Sequence, residues 1–376
     1  MFELILLDLS TELCHFACYI FPLVNGVILI QETKSKAVEE ADATTASQIE
    51  LTPPLLQSTN DPFSYVSEDL ELVEENLTGA IRSREQMLTD IAAHLIHGGG
   101  KRVRPMVTLL AFLACGGKRT QDIVDIATAI ELIHTATLLH DDIIDGGETR
   151  RGKESAYKKF GLKSTLVAGD FLFIKAFEFA GKFDETVVQW TADACALLTE
   201  GEMLQGFFNR NRSITLDDYV EIVTRKTASL FQTGAKVGAY LAGANPALIE
   251  TTNRYGLNIG IAFQMVDDIL DIVGHVELLG KPTGMDLRDG NPSLPIIFAL
   301  NEGQTAVSEA FQCTNPTEAQ IVGALEAIRR GPAIQQTKLL AKRYAEEALK
   351  SLKKFPPTLY RNGLNTLVQL IIDRDF

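Results

Sequence analysis

Cysteine, surplus positive charge and alternating strand patterns are all scarce in this sequence, and each shortage removes a class of protein. Five cysteines, Cys14, Cys18, Cys115, Cys195 and Cys313, are scattered over 376 residues, which is no disulfide framework. Reduced thiols in a cytoplasmic setting are the expectation. Cys14, His15 and Cys18 could form half of a zinc site, but no second half follows, so a metal role there is set aside. The net charge of −14 excludes ordinary nucleic-acid binding, whose footprint is basic. It leaves room for a polyanionic ligand held through cations and a few local Arg and Lys.

Long uncharged runs are also few. Leu13 to Ile30 is eighteen residues without Lys, Arg, Asp or Glu, at the lower limit for a membrane span. His15, Pro22, Asn25 and Gly26 weaken it, and nothing basic precedes it, unlike a signal or transit peptide. An arm on the body or an upstream extension fits better than an anchor, with peripheral membrane contact as the remaining option. Residues 33–62 are polar, carry Pro53-Pro54 and Asp61-Pro62, and read as a linker. The expected division is 1–62, an apolar segment with a linker, and 63–376, a catalytic domain.

What is present from about residue 63 onward is helical patterning. With 46% hydrophobic and 22% charged residues, the chain can bury a sizeable core. Ile123, Ile126, Ala127, Ile130, Ile133, Ala136 and Thr137 form a three-and-four stripe running into His140-Asp141-Asp142. Residues 217–241 and 250–273 behave similarly. Breaks fall at Gly98-Gly99-Gly100, Gly116-Gly117, Gly146-Gly147, Asn245-Pro246, Gly274, Gly280 to Gly290 and Gly331-Pro332. The pattern predicts an all-α fold: one large helical bundle around a central cavity.

Two aspartate triplets stand out, Asp141-Asp142-Ile-Ile-Asp145 and Asp267-Asp268-Ile-Leu-Asp271. Residues four apart share one helix face, so the carboxylates repel unless cations neutralise them. Carboxylates completed by waters and phosphate oxygens suit magnesium. Acidic runs are usually solvated helix faces, but here the pattern occurs twice, each time behind an apolar run. Cations accompany them. Lys101, Arg102 and Arg104 follow a glycine turn and open a helix, a favourable place for anions. Arg150 and Arg151 follow the first triplet, Lys226-Thr227 lies in an apolar helix, and Lys281 follows the second triplet. Each alone would read as surface. Together they predict diphosphate binding.

Assembled in order, these segments resemble the trans-isoprenyl diphosphate synthase family from about residue 68 to the C-terminus. The resemblance is carried by Gly-Gly-Gly-Lys-Arg-Val-Arg-Pro (98–105), residues 131–145 with the first triplet, Thr-Arg-Arg-Gly-Lys (149–153) and Gly-Asp-Phe-Leu (169–172). Arg-Lys-Thr-Ala (225–228), residues 263–271 with the second triplet, and Gly-Lys-Pro-Thr-Gly-Met-Asp-Leu-Arg-Asp-Gly-Asn (280–291) complete it. It implies a magnesium-dependent prenyl transferase joining an allylic diphosphate to isopentenyl diphosphate. Asp141, Asp142 and Asp145 would hold magnesium on one side and Asp267 and Asp268 on the other, with Asp271 in support. Arg150, Lys226 and Lys281 would touch the allylic diphosphate. Lys101, Arg104, His134 and Arg151 would hold isopentenyl diphosphate. Gln264 and Thr227 would present oxygens to the developing cation. Asn291 stands where many members carry Lys, a departure similar to heptaprenyl and solanesyl synthases.

Product length should depend on what blocks the growing tail. Ala136 and Thr137 lie about 6–8 Å below Asp141 along a helix. Both are small, and Ile133, a turn deeper, is moderate. A heptaprenyl to decaprenyl product, of the kind used for quinone side chains, is expected. A farnesyl or geranylgeranyl synthase, a class I terpene cyclase, or a subunit needing a small dissimilar partner are the alternatives. A cyclase would not need Lys101, Arg104 and Arg151, and an inactive subunit would not need six aspartates. The family norm is a homodimer.

Overall fold

The computed structural model describes residues 61–150, 152–274 and 283–373. Cys14, His15 and Cys18, all but the last two residues of the 1–62 segment, Arg151 and Lys281 lie outside them. The described residues fall within one unit, Gln57–Phe376.

After a 3-10 turn at Pro62–Tyr65 come α1 (Ser67–Ala80), α2 (Gln86–Ile96), α3 (Val103–Ala114) and α4 (Gln121–Ile144). A two-stranded hairpin, β1 (Thr149–Arg150) and β2 (Lys153–Glu154), is the only sheet among the described residues. Then follow α5 (Ala156–Phe160), α6 (Leu162–Ala180), α7 (Glu185–Phe208), α8 (Leu216–Val223), a π-turn (Thr224–Ala228), α9 (Ser229–Leu241) and α10 (Pro246–Val273). The C-terminal part holds α11 (Met285–Asp289), α12 (Leu294–Asn301), α13 (Thr305–Gln312), α14 (Glu318–Arg330), α15 (Ala333–Leu352) and α16 (Leu359–Ile372).

The boundaries follow local chemistry. Asn245 caps α10 by accepting from the Leu248 amide, with Pro246 in the first turn, the arrangement that satisfies free amides at a helix start. Thr215 with Asp218 and Thr317 with Gln320 form capping boxes, each joining two amides that would otherwise lack partners. The expected single helix over 217–241 is instead two helices joined by the π-turn.

The central element is α4, packed against α1, α3, α6 and α9. It is apolar and long enough to cross a membrane by composition, yet most of it is buried in the bundle, the pattern of a core helix. On its far side α10 packs against α9 and α15. Gly256 and Gly260 make the first approach close. A Cβ at Gly260 would lie 2.7 Å from the Ala228 Cα, and one at Gly256 would lie 2.5 Å from the Phe231 carbonyl oxygen. A side chain at Gly260 would force α10 off the π-turn, and one at Gly256 would force it off α9. A smaller core of Ile272, Leu287, Ile296, Phe311 and Ile328 joins the C-terminal helices to the end of α10.

Candidate active site

Both triplets sit at the C-terminal ends of long helices, α4 and α10. Between them opens a cavity of about 400 Å³ lined by Arg104, His134, Thr137, Leu138, Asp141, Glu202, Lys226, Thr227, Gln264 and Asp267 among others. Its apolar wall includes Ile144, Phe173, Leu198 and Phe263. One face of α4 supplies His134, Thr137, Leu138 and Asp141, the three-and-four spacing of a single stripe.

The six aspartates are not equivalent. Asp141 and Asp267 face the cavity. Asp142 is buried; its Oδ1 accepts from Arg150 Nε at 2.6 Å, and its Oδ2 has no hydrogen-bond partner. Burial raises its pKa, against the Arg150 charge. Asp145 ends α4 and lines an adjoining hollow with Glu202, Arg210, Arg288 and Asp289. Burial pushes its pKa up to about 7, with Lys226 opposing and Asp141, Asp289 and Glu202 adding to the rise.

The second triplet is tied into the protein. Asp268 accepts from Tyr219 Oη at 2.7 Å and the Leu294 amide at 2.9 Å through Oδ2, and from Gln264 Nε2 at 3.0 Å through Oδ1. Gln264 in turn accepts from Thr227 Oγ1 at 2.8 Å. Thr227, Gln264, Asp268 and Tyr219 thus form one chain that fixes both cavity-facing residues. Asp271 accepts from the Met285 and Asp286 amides; it fastens the start of α11 and does not line the cavity.

The cations also divide. Arg102 adopts left-handed backbone, φ 46°, and is buried. It pairs with Glu74, with Glu131 at 2.9 Å and with the Ile96 carbonyl at 3.0 Å, so it serves the fold. Arg104 enters the cavity, its guanidinium 4.8 Å from the Phe231 ring centroid and its buried Nε without a partner. Burial lowers its pKa, against the fields of Glu131, Asp267 and Asp141. A guanidinium with an unpartnered N–H between two carboxylate faces is a ready anion ligand. Lys101 is exposed at the start of α3. Lys226 lies 3.8 Å from Asp141 and pairs with Glu202. Burial works against its charge, but Asp141 and Glu202 outweigh it and hold its pKa above the usual lysine value. Asn291 accepts from Gln205 Nε2 at 3.2 Å, so it holds its loop to α7.

Thr137 lines the cavity, whereas Ala136 and Ile133 are fully buried and do not. Ala136 sits about 140° around α4 from Asp141, given 100° per residue, so it is not directly beneath that side chain. Glu202 and His140 line the cavity without having been expected. His140 fits because a Cβ at Gly169 would fall 2.2 Å from its Nε2, which gives Gly169 of the 169–172 motif a packing role.

The carboxylate faces fit a divalent cation. The unpartnered Asp142 Oδ2, and the Asp141, Asp289 and Glu202 carboxylates whose fields reach Asp145, mark negative charge awaiting neutralisation. Among the described residues no three acidic, His or Cys groups converge into a closed cage. Magnesium is suited to that, since it takes one or two carboxylates and completes its shell with water and phosphate.

A family model described as polyprenyl synthetase matches residues 85–328. The chain belongs to the polyprenyl synthetase family. It is 33% identical to the octaprenyl diphosphate synthase of Escherichia coli K12 over 82% of this chain and 97% of that one. It is 34% identical to heptaprenyl diphosphate synthase component 2 of Geobacillus stearothermophilus over 84% and 98%. A crystal structure of polyprenyl synthase from Caulobacter crescentus CB15, complexed with calcium and isoprenyl diphosphate, superposes with a TM-score of 0.81 at 35% identity, covering 86% of this chain and 99% of that one. The all-α isoprenyl synthase fold and prenyl transferase class expected from the motifs therefore hold.

Proposed function

We propose that this synthase condenses an allylic diphosphate with successive isopentenyl diphosphate units into a long all-trans polyprenyl diphosphate. The observation that carries the reading is the cavity itself: two carboxylate faces, with Arg104 and Lys226 between them, above an apolar wall. Two charged ends and one dry body suit two diphosphates sharing an apolar tail space. The long-chain assignment draws on the octaprenyl and heptaprenyl relatives and on the small Thr137 in the wall.

Asp141, Asp142, Asp145 and Asp267 would hold magnesium, with Asp268 and Asp271 steadying the second face. Magnesium, when bound, neutralises the diphosphate so that the allylic carbon–oxygen bond can break. Lys226 and Lys281 add positive charge where the leaving group gathers its negative charge, and Arg104 holds isopentenyl diphosphate. Arg150 holds Asp142 in place and, with Lys101, His134 and Arg151, orients the diphosphates. Leu138, Phe173, Leu198 and Phe263 exclude the water that would quench a carbocation. The isopentenyl double bond attacks the allylic carbon, Thr227 and Gln264 face the positive charge with their oxygens, and the released diphosphate takes the proton. The product is again allylic, so the cycle repeats.

The proposed setting is the cytoplasm, with transient membrane contact to deliver a water-insoluble product for quinone side chains. A homodimer is supported by exposed Leu166, Val167 and Ile174 on α6 and Met203 and Phe207 on α7, an apolar surface suited to a second copy. The relative named as a component supports the other arrangement, a dissimilar small partner. The test is purified protein with farnesyl and isopentenyl diphosphates and magnesium, product length being read by mass spectrometry. Chains of seven to ten units are the expected result, about 35–50 carbons, chain extension being capped by cavity shape. No elongation, or a cyclic product, refutes the proposal; activity only on adding a second polypeptide replaces the homodimer by the two-component form.

A further inference from the structure

The π-turn that carries Lys226 is gripped from one side by α7. At Gly201 the two backbones meet: a Cβ there would come within 2.6 Å of the Lys226 amide nitrogen and 2.9 Å of the Arg225 Cβ. Such an approach is open to glycine alone. The residues on either side of that glycine are both glutamates. Glu202 pairs with Lys226 Nζ, and Glu200 Oε2 lies 3.4 Å from Arg225 Nη1. Arg225 is held also by Glu221 at 2.5 Å. Glu200-Gly201-Glu202 therefore straddles Arg225-Lys226, one acidic residue to each basic one.

The two carboxylates beside Lys226 are not equally close. Its ammonium is in direct contact with Glu202, while Asp141 Oδ1 is 3.8 Å away. Glu202 and Lys226 are shielded to the same degree, 21% and 22% exposed, so the pair is stronger than a surface ion pair. Both line the cavity with Asp141. We infer that Glu202 is a positioning residue: it draws the Lys226 ammonium off Asp141, which keeps Asp141 open to a divalent cation and leaves Lys226 aimed at the diphosphate. The inference rests on the reading of Lys226 as a diphosphate ligand. If Glu202 loses its charge, Asp141 is the ion-pair partner that remains, and an ammonium on Asp141 competes with the metal for one carboxylate. Glu202 thus acts on the cation through Lys226 and need not touch it.

The test uses the full chain, with Mn2+ as the probe and its binding read by electron paramagnetic resonance. Glu202→Gln keeps size and hydrogen bonding but removes the charge; it is expected to weaken Mn2+ binding about tenfold, the size of one charge-assisted contact. Glu202→Asp, which restores the charge on a shorter arm, should recover part of that loss. In a Lys226→Met background, Glu202→Gln should no longer change Mn2+ affinity, because the competing ammonium is gone. Unchanged Mn2+ affinity in Glu202→Gln overturns the inference, whether or not thermal stability falls. A full effect persisting with Lys226→Met also overturns it, since Glu202 would then act on the metal directly. Inhibition by inorganic pyrophosphate checks the underlying reading separately: if Lys226→Met leaves it unaltered, Lys226 is not a diphosphate ligand and that reading fails, whatever Glu202 does.

Discussion

Replacing Gly260 with alanine should damage turnover far more than folding. The added methyl would sit 2.7 Å from the Ala228 Cα, 2.9 Å from its Cβ and 3.2 Å from the Phe231 Cβ. Carbon atoms rest comfortably at about 3.5 Å, so α10 and the π-turn must part by about 0.8 Å. The hydrogen bond from Thr227 to Gln264, 2.8 Å long, joins those same two elements one turn farther along α10. A shift of that size stretches it to about 3.6 Å, beyond hydrogen-bond reach. Lys226 and Thr227 move with the turn, and a displacement approaching 1 Å in a positioning element costs about 10²-fold in rate, equal to about 2.7 kcal/mol of barrier. Stability changes less. Overpacking costs about 1–3 kcal/mol, while the Gly to Ala exchange within a helix returns about 1 kcal/mol. Gly323, on α14, is the control, because a methyl group there would have nothing within 4 Å of it. Gly323→Ala should stabilise slightly and leave kcat intact. Steady-state kinetics with farnesyl and isopentenyl diphosphates, beside thermal melts of both variants, measure this. A Gly260→Ala enzyme with wild-type kcat, or one whose activity falls only as far as it unfolds, would refute the reasoning.

Arg102→Met removes the buried guanidinium that Glu74 and Glu131 share and should cost about 3–5 kcal/mol in urea unfolding, while KM for isopentenyl diphosphate stays unchanged in the folded fraction; Arg104→Ala should show the reverse. Asp145, with its pKa raised from the unfolded carboxylate value to about 7, binds a proton in the native state that the unfolded chain has released. Metal-free stability should therefore fall as pH rises from about 4 through 7, and the slope of melting temperature against pH over that window should flatten in Asp145→Asn. An equal slope in the variant would show that the carboxyl is not the source. Thr137→Phe, which places a ring in the cavity wall, should shorten the product by one or more isoprene units, read by mass spectrometry. An unaltered product distribution would remove Thr137 from the tail path.

Most of the residues that carry charge into the cavity were legible in the sequence because the chemistry needs them in clusters. Asp141, Asp267, Arg104 and Lys226 each stand in a motif whose electrostatics make little sense without a ligand. Which members of a cluster face inward was not legible. Arg102 and Arg104 are two apart in one basic run, and only the packing of Glu74 and Glu131 around the first decides that it belongs to the fold. Asp268 and Asp271 repeat the pattern of Asp142 and Asp145, yet their acceptors go to Tyr219, Leu294, Met285 and Asp286, contacts made across long sequence separations. Glu202 gave no signal, since a glutamate on an amphipathic helix reads as a solvated side chain until Lys226 is seen opposite. The all-helical fold was plain from periodicity, but the π-turn was hidden, because it keeps helical composition while changing the hydrogen-bond step.

That turn constrains this segment in a further way. Thr224–Ala228 uses the wider i to i+5 step, and from it Lys226 and Thr227 both reach the cavity wall while α8 and α9 keep their own faces on the core. Residue count is therefore as binding here as residue type. A one-residue deletion that restored regular helix would turn everything beyond it by about 100°, against the bundle or against the site. Any redesign of the segment inherits a fixed length, which a table of tolerated substitutions would never reveal.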